Sequence, residues 1–353
     1  MPFSKAEYQQ YHRHLILDEI GESGQLKLKQ AKVLVIGAGG LGCPILQYLT
    51  AAGVGHIGIV DDDVVDTSNL QRQVLFTQND LGKKKAEVAA TRLQQLNPFA
   101  EFEVQATSLS PSNALSLFSA HDIIVDGTDN FPTRYLVNDA AALTNKPVVF
   151  GSIFKFDGQV SVFNYKGGPT YRCLYPTPPR PNQVPNCSEV GVLGVLPGII
   201  GSLQANEVLK IILGLGKVLT GKLLTLDALS MQQQLFTFSK SNAPTITELQ
   251  PEYQSFCGLA ATVPEISFGD FTTHAQNYNV LDVRTPAERE VYHIASQHIP
   301  LDELEDRLHE IPENKKLVVY CKSGLRSKKA IELLSENGFK NELLSLKGGL
   351  PMG

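Results

Sequence analysis

A glycine-rich corner between an apolar strand and a helix constrains this chain more than any other stretch. Residues 33–42 read Val-Leu-Val-Ile-Gly-Ala-Gly-Gly-Leu-Gly, so a short β-branched strand runs directly into the spacing G-x-G-x-x-G. Glycines at such a corner let the backbone approach a phosphate closely, and the next helix presents its first amides to the anion. The pattern predicts the nucleotide-binding unit of a doubly wound, Rossmann-like α/β sheet.

A second apolar strand, residues 57–60, ends at Asp61. It follows the glycines by about 20 residues, the spacing at which a carboxylate can bind a ribose hydroxyl. Asp62 and Asp63 come next, and we expect at least one of them to be a solvated loop charge. These features alone favour a nicotinamide-dependent dehydrogenase, because the glycine motif by itself is common to many nucleotide-binding proteins.

Polar and basic side chains farther along change that interpretation. Residues 68–73 read Ser-Asn-Leu-Gln-Arg-Gln, a lysine cluster ends at Lys85, and residues 126–130 read Asp-Gly-Thr-Asp-Asn after a third apolar strand. A dehydrogenase leaves the pyrophosphate of its cofactor intact. An enzyme that breaks a triphosphate needs cations, because charge builds up on the α-phosphate and on the departing pyrophosphate. We therefore expect a pocket that splits ATP between its first and second phosphates.

At these motifs the chain resembles the ThiF/MoeB family, relatives of the ubiquitin-activating enzymes, over roughly residues 5–258. The resemblance implies an adenylyltransferase that uses ATP and Mg²⁺ to activate the C-terminal carboxylate of a small ubiquitin-like sulfur-carrier protein ending in Gly-Gly. Asp129 would hold Mg²⁺, which takes one or two carboxylates together with phosphate oxygens. The nucleotide ligands implied are Gly37, Gly39, Gly40, Gly42, Asp61, Asp63, Asn69, Arg72, Gln73, Lys85, Asp129 and Asn130.

Arg13 lies in the pattern Tyr11-His12-Arg13, within residues 5–30, which apolar residues at roughly helical spacing predict to be helical. A lone arginine there is ordinarily a solvated helix charge. In the resembled family an arginine at this point reaches the ATP phosphates of the other subunit of a homodimer. The resemblance therefore implies a homodimer in which Arg13 acts as an arginine finger.

A proline-rich stretch predicts an irregular crossover loop over residues 174–190, since five prolines lie between residues 175 and 187. Cys187 stands near the end of this loop and matches the acyl-accepting cysteine of the resembled family. Its role would be nucleophilic, as a thioester or an acyl-disulfide with the activated partner. Some family members work without this cysteine, so adenylation need not require it.

Two cysteine pairs that bind a structural zinc in the resembled family are incomplete here. The first reads Thr170-Tyr-Arg-Cys173 and the second Gln254-Ser-Phe-Cys257. Two thiolates are too few for a closed tetrahedral zinc site unless other ligands substitute. We therefore expect no zinc. We also expect Cys173 and Cys257 to lie near each other as buried thiols, or as a pair able to oxidise.

A reactive cysteine is predicted in a second, C-terminal unit. The apolar strand at residues 316–320 runs directly into Cys321-Lys-Ser-Gly-Leu-Arg-Ser327 and then into a helix. A cysteine at such a corner faces backbone amides and the positive helix end, and Lys322 and Arg326 add charge, so we expect its pKa to fall.

The C-terminal unit resembles a rhodanese domain over roughly residues 263–353, with Cys321 matching the persulfide-carrying cysteine. Asp282 and Arg284 match its Asp-Val-Arg element and are interpreted as supports of the loop. A Cys-dependent phosphatase is the alternative. Those enzymes resemble Cys-x5-Arg, whereas Cys-x4-Arg here makes a smaller loop, better suited to a terminal sulfur. The implied persulfide loop comprises Cys321, Lys322, Ser323, Gly324, Leu325 and Arg326.

Length and composition limit the remaining choices. The 353 residues allow about two domains, which we place at 1–258 and 266–353, with 259–265 as the end of a linker. A net charge of −5 argues against a general nucleic-acid surface. The N-terminus has no apolar signal-like run, and polar residues interrupt the longest apolar region, so we expect no membrane segment. Five scattered cysteines suggest no disulfide framework and favour the cytoplasm.

The two predicted sites imply a relay on one chain. An upstream cysteine desulfurase would load Cys321 with a persulfide, which then attacks the adenylated carrier to give a thiocarboxylate. Alternatives are an adenylyltransferase whose rhodanese unit only docks partners, and a nicotinamide-dependent oxidoreductase fused to a sulfurtransferase. The receiving pathway (molybdopterin, thiamine, tRNA thiolation or cysteine synthesis) stays open. The expected catalytic residues are Arg13, Arg72, Lys85, Asp129, Cys187 and Cys321.

Overall fold

The computed structural model describes residues 2–179, 191–240, 245–257 and 263–350. The chain divides into two compact units, Met1–Gly258 and Leu259–Gly353, here called the N-terminal and C-terminal units. Each has its own sheet and its own apolar core.

The N-terminal unit is built on an eight-stranded sheet in the order β3-β2-β1-β4-β5-β6-β7-β8. Strands β1 to β5 are parallel, and β6 to β8 continue the sheet antiparallel. The chain order reverses between β1 and β4, which confirms the predicted doubly wound mixed sheet. The strands are β1 Lys32–Ile36, β2 His56–Val60, β3 Glu101–Gln105, β4 Ile123–Asp126, β5 Val148–Phe154, β6 Asp157–Phe163, β7 Lys222–Asp227 and β8 Gln233–Thr237.

Helices cover the faces of this sheet. They are α1 Lys5–Gln10, α2 His12–Leu15, α3 Gly21–Gln30, α4 Gly42–Ala52, α5 Lys85–Leu96, α6 Pro111–Ala120, α7 Phe131–Thr144, α8 Tyr171–Leu174, α9 Leu196–Leu213 and α10 Tyr253–Phe256. The prediction of helix throughout residues 5–30 is wrong between α2 and α3. Ile16 and Leu17 are exposed there, and Gly21 has a φ of +54°, a left-handed conformation that interrupts a continuous helix.

Helix α9 is long and apolar enough to span a membrane by length and composition alone. Half of it is buried within the unit. Its Gln204 donates a hydrogen bond to the carbonyl oxygen of Asp126 (2.8 Å), and the carboxylate of Glu207 accepts one from the amide of Leu219 (2.9 Å). These buried polar contacts are those of a core helix packed against the carboxyl ends of the sheet.

The C-terminal unit has a five-stranded parallel sheet in the order β11-β10-β12-β13-β9. Cys321 follows β12 directly and precedes α13. The elements are β9 Glu265–Ile266, α11 Phe268–Thr273, β10 Tyr278–Asp282, α12 Pro286–Val291, β11 Gln297–His298, β12 Lys316–Tyr320, α13 Leu325–Glu336 and β13 Leu343–Leu346.

Candidate active sites

An open cleft of about 630 Å³ lies at the carboxyl ends of β1, β2 and β4. Ligands of open α/β sheets bind at this edge, where the strand order reverses. The cleft brings together most of the predicted nucleotide ligands, although they are spread over more than ninety residues of sequence. Those that line it are Gly37, Gly39, Gly40, Asp61, Asp63, Asn69, Arg72, Gln73, Lys85, Asp129 and Asn130.

The glycine loop needs its glycines for two different reasons. Gly37 has a φ of +92°, which favours glycine, and it packs against the backbone of Gly127. Gly42 was predicted as a ligand, but among the described residues it does not line the cleft. A Cβ at Gly42 would lie 2.0 Å from the carbonyl oxygen of Gly37. Gly42 therefore lets α4 start directly behind the loop.

Asp61 ties the glycine loop to the end of β2. Its Oδ2 accepts a hydrogen bond from the amide of Ala38 (2.7 Å), and its Oδ1 accepts one from the amide of Asp63 (2.9 Å). Burial raises the pKa of Asp61, while these two amides and Lys85 act in the opposite direction. Each carboxylate oxygen can still accept a second hydrogen bond, so Asp61 remains available to a ligand hydroxyl.

Among the described residues, two cations reach the cleft. Lys85 begins α5, and only 6% of its side chain is exposed; its Nζ lies 2.9 Å from Oδ2 of Asp63, whose side chain is 70% exposed. The partner of this buried cation is thus a solvated carboxylate that can turn away. Arg72 donates from Nη1 to the carbonyl oxygen of Ser68 (3.0 Å), and no carboxylate of the described residues pairs with it. Both cations can therefore face an anionic ligand.

Two aspartates, the last residue of β4 and one in the loop that follows it, differ in their surroundings. Asp126 is buried, burial raises its pKa, and its Oδ1 accepts hydrogen bonds from the amide (3.0 Å) and the hydroxyl (2.6 Å) of Thr128. Asp129 is exposed at the cleft and accepts no hydrogen bond from the described residues. A single free carboxylate fits Mg²⁺ that takes its other ligands from phosphates and water. The described residues contain no group of three acidic, His or Cys side chains able to hold a metal by themselves.

Gln73 lines the cleft but is 3% exposed. Its side-chain oxygen is buried and has no hydrogen-bond partner among the described residues. Native proteins leave few buried acceptors unpaired, so a donor group of a bound molecule would complete this environment.

The remaining predicted catalytic residues of the N-terminal unit are Arg13 and Cys187. Arg13 is exposed on α2 and does not line the cleft, and its side chain has neither a hydrogen bond nor an ion pair within the described parts of the chain. Cys187 lies outside the described residues, as does the rest of residues 180–190 of the predicted crossover loop.

Several lining residues were missed from the sequence. Ile153, Val192 and Gln254 complete the wall of the cleft away from the glycine loop. Val192 reaches this position through a bridge to Lys155, at the turn between β5 and β6. No sequence motif predicts these residues, because their three segments are distant in sequence and come together only in the folded sheet.

Of the two remnant zinc cysteines, Cys173 is half-buried, so the expectation that both are buried is wrong for it. Cys257 is buried, and burial raises its pKa to about 11. Cys173 and Cys257 belong to no group of three His, Cys, Asp or Glu side chains that could hold a metal among the described residues. The absence of zinc stays a prediction.

A buried ion pair lies beside these cysteines. Arg172 donates from Nε and Nη2 to the two carboxylate oxygens of Asp139 (2.7 and 2.8 Å), and the hydroxyl of Tyr253 donates to the same carboxylate (2.7 Å). This network joins α7, α8 and α10.

The second site is the Cys321 cradle, residues 321–327. The buried Sγ of Cys321 accepts hydrogen bonds from the amides of Gly324 (3.1 Å) and Ser327 (3.4 Å). Burial alone would raise the pKa of Cys321, but the amides of Ser327 and Ser323 and the Ser327 hydroxyl outweigh it, so the pKa is lowered. This is the surrounding of a stabilised thiolate.

The predicted cause is confirmed for the backbone amides, and the Ser327 hydroxyl adds to them, but the two predicted cations are not among the main causes. Lys322 is exposed, and Arg326 binds Glu288 through both ends of its guanidinium, from Nη1 and Nη2 to the two carboxylate oxygens (2.7 Å each). Backbone amides, rather than these two cations, account for the lowered pKa of Cys321.

Beneath the cradle, the buried carboxylate of Asp282 accepts hydrogen bonds from Arg284 (2.9 and 2.8 Å), Arg289 (3.2 Å) and the hydroxyl of Tyr320 (2.9 Å). Tyr320 immediately precedes Cys321. The network therefore fixes the strand end from which the cradle starts.

Two protein families match the chain, one in each of its two units. The ThiF family pattern matches residues 11–246, and the rhodanese-like domain pattern matches residues 270–351. The protein named probable adenylyltransferase/sulfurtransferase MoeZ of Mycobacterium tuberculosis is 44% identical, over 98% of this chain and 93% of its own length. The sulfur carrier protein adenylyltransferase of Thermus thermophilus is 51% identical, over 73% of this chain and 100% of its own.

Similar names and folds recur among other proteins. Adenylyltransferase and sulfurtransferase MOCS3 of Drosophila sechellia is 42% identical, over 96% of this chain and 81% of its own. A crystal structure of E. coli MccB with MccA-N7isoASN shares the fold, with a TM-score of 0.60 and 22% identity over 69% of this chain and 75% of that one.

Proposed function

Since this chain belongs to the ThiF family, ends in a rhodanese-like domain and is an adenylyltransferase and sulfurtransferase, we propose that its substrate is a ubiquitin-like sulfur-carrier protein. ATP would adenylate the C-terminal glycine of this carrier, and a persulfide on Cys321 would convert the activated carboxyl group to a thiocarboxylate. The Thermus relative, named a sulfur carrier protein adenylyltransferase, supports this choice of substrate.

One observation carries the first half of the proposal: a buried lysine and an arginine converge with a glycine loop in a single cleft. A bound redox nucleotide needs no such cations at its phosphates. A departing pyrophosphate does, because its charge grows as the bond to the α-phosphate breaks. The Asp63 carboxylate that holds Lys85 is exposed, so phosphate oxygens can replace it at little cost.

In the first reaction, a carboxylate oxygen of the carrier attacks the α-phosphorus of ATP. The bond from that phosphorus to the oxygen bridging to the β-phosphate breaks, and pyrophosphate leaves with the electron pair. Arg72 and Lys85 stabilise the leaving charge, and the glycine-loop amides hold the phosphates. Asp61 and Gln73 accept hydrogen bonds from the nucleoside. The product is a mixed anhydride, whose leaving group is AMP.

Asp129 would hold Mg²⁺, which would neutralise phosphate charge. Arg13 would act across a homodimer, since it is exposed on α2 and has no ion pair in the described parts of its own chain. A cation delivered by the second subunit would add to the charge that Arg72 and Lys85 supply.

In the second reaction, the terminal persulfide sulfur on Cys321 attacks the acyl carbon, AMP leaves, and an acyl-disulfide forms. A thiolate, for which Cys187 is the candidate, attacks Sγ of Cys321 and releases the carrier thiocarboxylate. The two cysteines are then joined by a disulfide, and a small-molecule or protein thiol must reduce it. A cysteine desulfurase or another persulfide donor reloads Cys321, and a reducing cytoplasm would keep these thiols available.

A macromolecular substrate also agrees with the surface next to the cleft. Exposed apolar side chains cluster at the same edge of the sheet, on the turn between β5 and β6, on the turn between β7 and β8, and after Val192. They are Phe156 (40% exposed), Leu193 (37%), Val195 (60%), Leu229 (70%) and Met231 (59%). Together they would provide an apolar docking surface for the carrier.

Exchange of labelled pyrophosphate into ATP tests the first reaction. Exchange should require a carrier ending in Gly-Gly and disappear with a carrier lacking its last glycine. A fused oxidoreductase would give no carrier-dependent exchange and would instead bind NADH in the cleft.

Mass spectrometry of the carrier tests the second reaction, with a persulfide donor as the sole sulfur source. Cys321→Ala should leave exchange intact and abolish the carrier thiocarboxylate. An unchanged thiocarboxylate yield would leave the C-terminal unit only a docking role.

A further inference from the structure

Arg326 belongs to the Cys321 cradle, yet its charge is already neutralised. Both carboxylate oxygens of Glu288 accept from its guanidinium at 2.7 Å, and the two side chains are about equally shielded, at 31% and 30% exposure. Binding to Arg326 lowers the pKa of Glu288 to about 2, so the carboxylate stays charged at neutral pH. A bidentate, partly shielded pair of this kind is among the stronger ion pairs of proteins.

The same carboxylate has a second anchor that keeps it in place. Glu288 accepts a hydrogen bond from the amide of Thr285 (3.1 Å), and the Thr285 hydroxyl in turn accepts one from the amide of Glu288 (3.4 Å). This reciprocal cap begins α12. Its own helix therefore holds Glu288 opposite the cradle, where Arg326 binds it.

A sulfur donor with a large negative charge needs a free cation at this point. Thiosulfate, for example, is a dianion, and its sulfonate group must be held while its outer sulfur is transferred. Because Arg326 is paired, the groups of the cradle that could hold the sulfonate are the backbone amides and Lys322. The amides already face Sγ of Cys321, and Lys322 is exposed to solvent.

We propose that Glu288 determines which sulfur donor the Cys321 site accepts. By binding Arg326 it withholds the guanidinium from multiply charged donors such as thiosulfate, and it leaves the site to donors that present a terminal persulfide sulfur. This inference rests on the proposed persulfide chemistry of Cys321 and makes Glu288 a positioning residue that acts through Arg326.

A persulfide can arrive on a small thiol or on a protein, and both share the terminal sulfur. The surroundings of the ion pair favour a protein. Within residues 263–350, the large apolar side chains that are exposed are Leu325 (71%), Val291 (78%) and Tyr292 (42%), on the two segments that the pair joins. A small anion needs no apolar rim of this kind.

Thiocyanate formation in the full-length protein tests the proposal, with thiosulfate, a small-thiol persulfide or a protein-bound persulfide as donor. The Cys321 thiolate attacks the outer sulfur of the donor, and sulfite or the donor thiolate leaves with the electron pair of the broken S–S bond. Cyanide then takes the terminal sulfur and restores the thiolate. The readout is kcat/KM for each donor.

Glu288→Gln keeps the size of the side chain and an acceptor for the helix cap but frees the charge of Arg326. We expect kcat/KM for thiosulfate to rise by about tenfold, equivalent to ~1.4 kcal/mol, while the value for either persulfide changes less than about twofold. Glu290→Gln is the matched control, because Glu290 is exposed on the same helix and has no ion pair among the described residues. It should change none of these values.

A second variant shows whether the effect passes through Arg326. Adding Arg326→Met to Glu288→Gln should return kcat/KM for thiosulfate to that of the parent chain. An unchanged melting curve for Glu288→Gln would rule out misfolding as the cause of its effect. The inference is overturned if Glu288→Gln gives no rise, if the rise persists without Arg326, or if the parent chain already uses thiosulfate as readily as a persulfide. Transfer from none of the donors would overturn the proposed role of Cys321 itself.

Discussion

The cleft of the N-terminal unit leaves its charged groups open to an incoming molecule, whereas the Cys321 cradle encloses its sulfur and pairs the charges around it within the chain. In the cleft, Arg72 has no carboxylate partner among the described residues, and the partner of Lys85 is 70% exposed. In the cradle, Sγ is buried under amides, and Arg326 is bound by Glu288.

The difference reflects where the negative charge comes from. In the proposed adenylation the charge arrives on ATP, so the protein must supply cations that are not already neutralised. In the sulfur transfer the charge arises on a side chain of the protein itself, so fixed amide dipoles can stabilise it permanently at no cost in reorganisation. Variants that affect one type of site and spare the other test this contrast.

Replacing Lys85 should have the largest effect. Lys85→Ala removes a buried cation from the cleft, and we expect carrier-dependent pyrophosphate exchange to fall about 10²–10³-fold, as when one preorganised charge-stabilising donor is lost. Sulfur loading of Cys321 from a persulfide donor should not change, because that site uses other groups.

Lys83→Ala is the matched control for that variant. Lys83 is an exposed lysine two residues away, and it lies 4.0 Å from Asp80 rather than in the cleft. Equal losses in the two lysine variants would mean that general surface charge, and not a cation in the cleft, supports the exchange reaction.

Ligand binding should stabilise only the open site. With ATP and Mg²⁺ at about 100 times the dissociation constant, binding contributes ~2.7 kcal/mol, so amide exchange that needs opening of the cleft should slow by up to about 100-fold. Hydrogen exchange measured by mass spectrometry should show this protection in residues 37–42 and 69–73. Protection of residues 321–327 to the same degree would contradict the separate roles of the two sites.

A glycine in the cradle gives a smaller effect. Gly324 has a φ of +88° and room for a Cβ, and its amide donates to Sγ of Cys321. Gly324→Ala should cost ~1–2 kcal/mol of unfolding free energy through backbone strain, measured by urea denaturation, and should slow sulfur transfer by displacing this amide.

Gly338→Ala separates strain from chemistry. Gly338 lies just after α13 with a φ of +79°, and a Cβ there would contact nothing within 4 Å, so Gly338→Ala should lower the unfolding free energy by a similar amount through backbone strain. Its rate of sulfur transfer should stay at the parent value. If both variants lost transfer activity alike, general destabilisation of the unit would explain the loss.

The sequence predicted the strands that lead to the two sites, because each of them is a short apolar run. The predicted strand at residues 316–320 agrees with the structure to the residue, and the predicted strand at residues 57–60 begins one residue later than β2 does. Residues 5–30 were predicted less well. The spacing of their apolar side chains fits a helix, but it shows neither the left-handed backbone of Gly21 nor the exposure of Ile16.

The sites divide in the same way. Motif spacing predicted the glycine loop and the residues after β2 and β4, because parallel strands end at a common edge and bring such residues together. It did not predict Ile153, Val192 or Gln254, which reach the cleft from β5, the segment before α9, and α10. Nor did it predict that Glu288 would take the charge of Arg326, since a charge in a sequence does not reveal its partner.

The smallest effect should come from the hydroxyl of Ser327. It lies 3.7 Å from Sγ of Cys321 and also contacts the carbonyl oxygen of Gly324 (3.0 Å) and the hydroxyl of Ser345 (2.8 Å). The hydroxyl helps to lower the pKa of Cys321, so Ser327→Ala should raise that pKa toward its ordinary value. Because the thiolate is the reactive form, the pH profile of persulfide loading should move to higher pH, with reduced rates on its acid side and the parent rate at its alkaline plateau.

Ser323→Ala is the matched control for that variant. Ser323 acts on Cys321 through its backbone amide, so loss of its exposed hydroxyl should leave the pH profile in place. A shift of equal size in both variants would assign the effect to the loop as a whole, and an unshifted profile for Ser327→Ala would leave the amides alone to stabilise the thiolate.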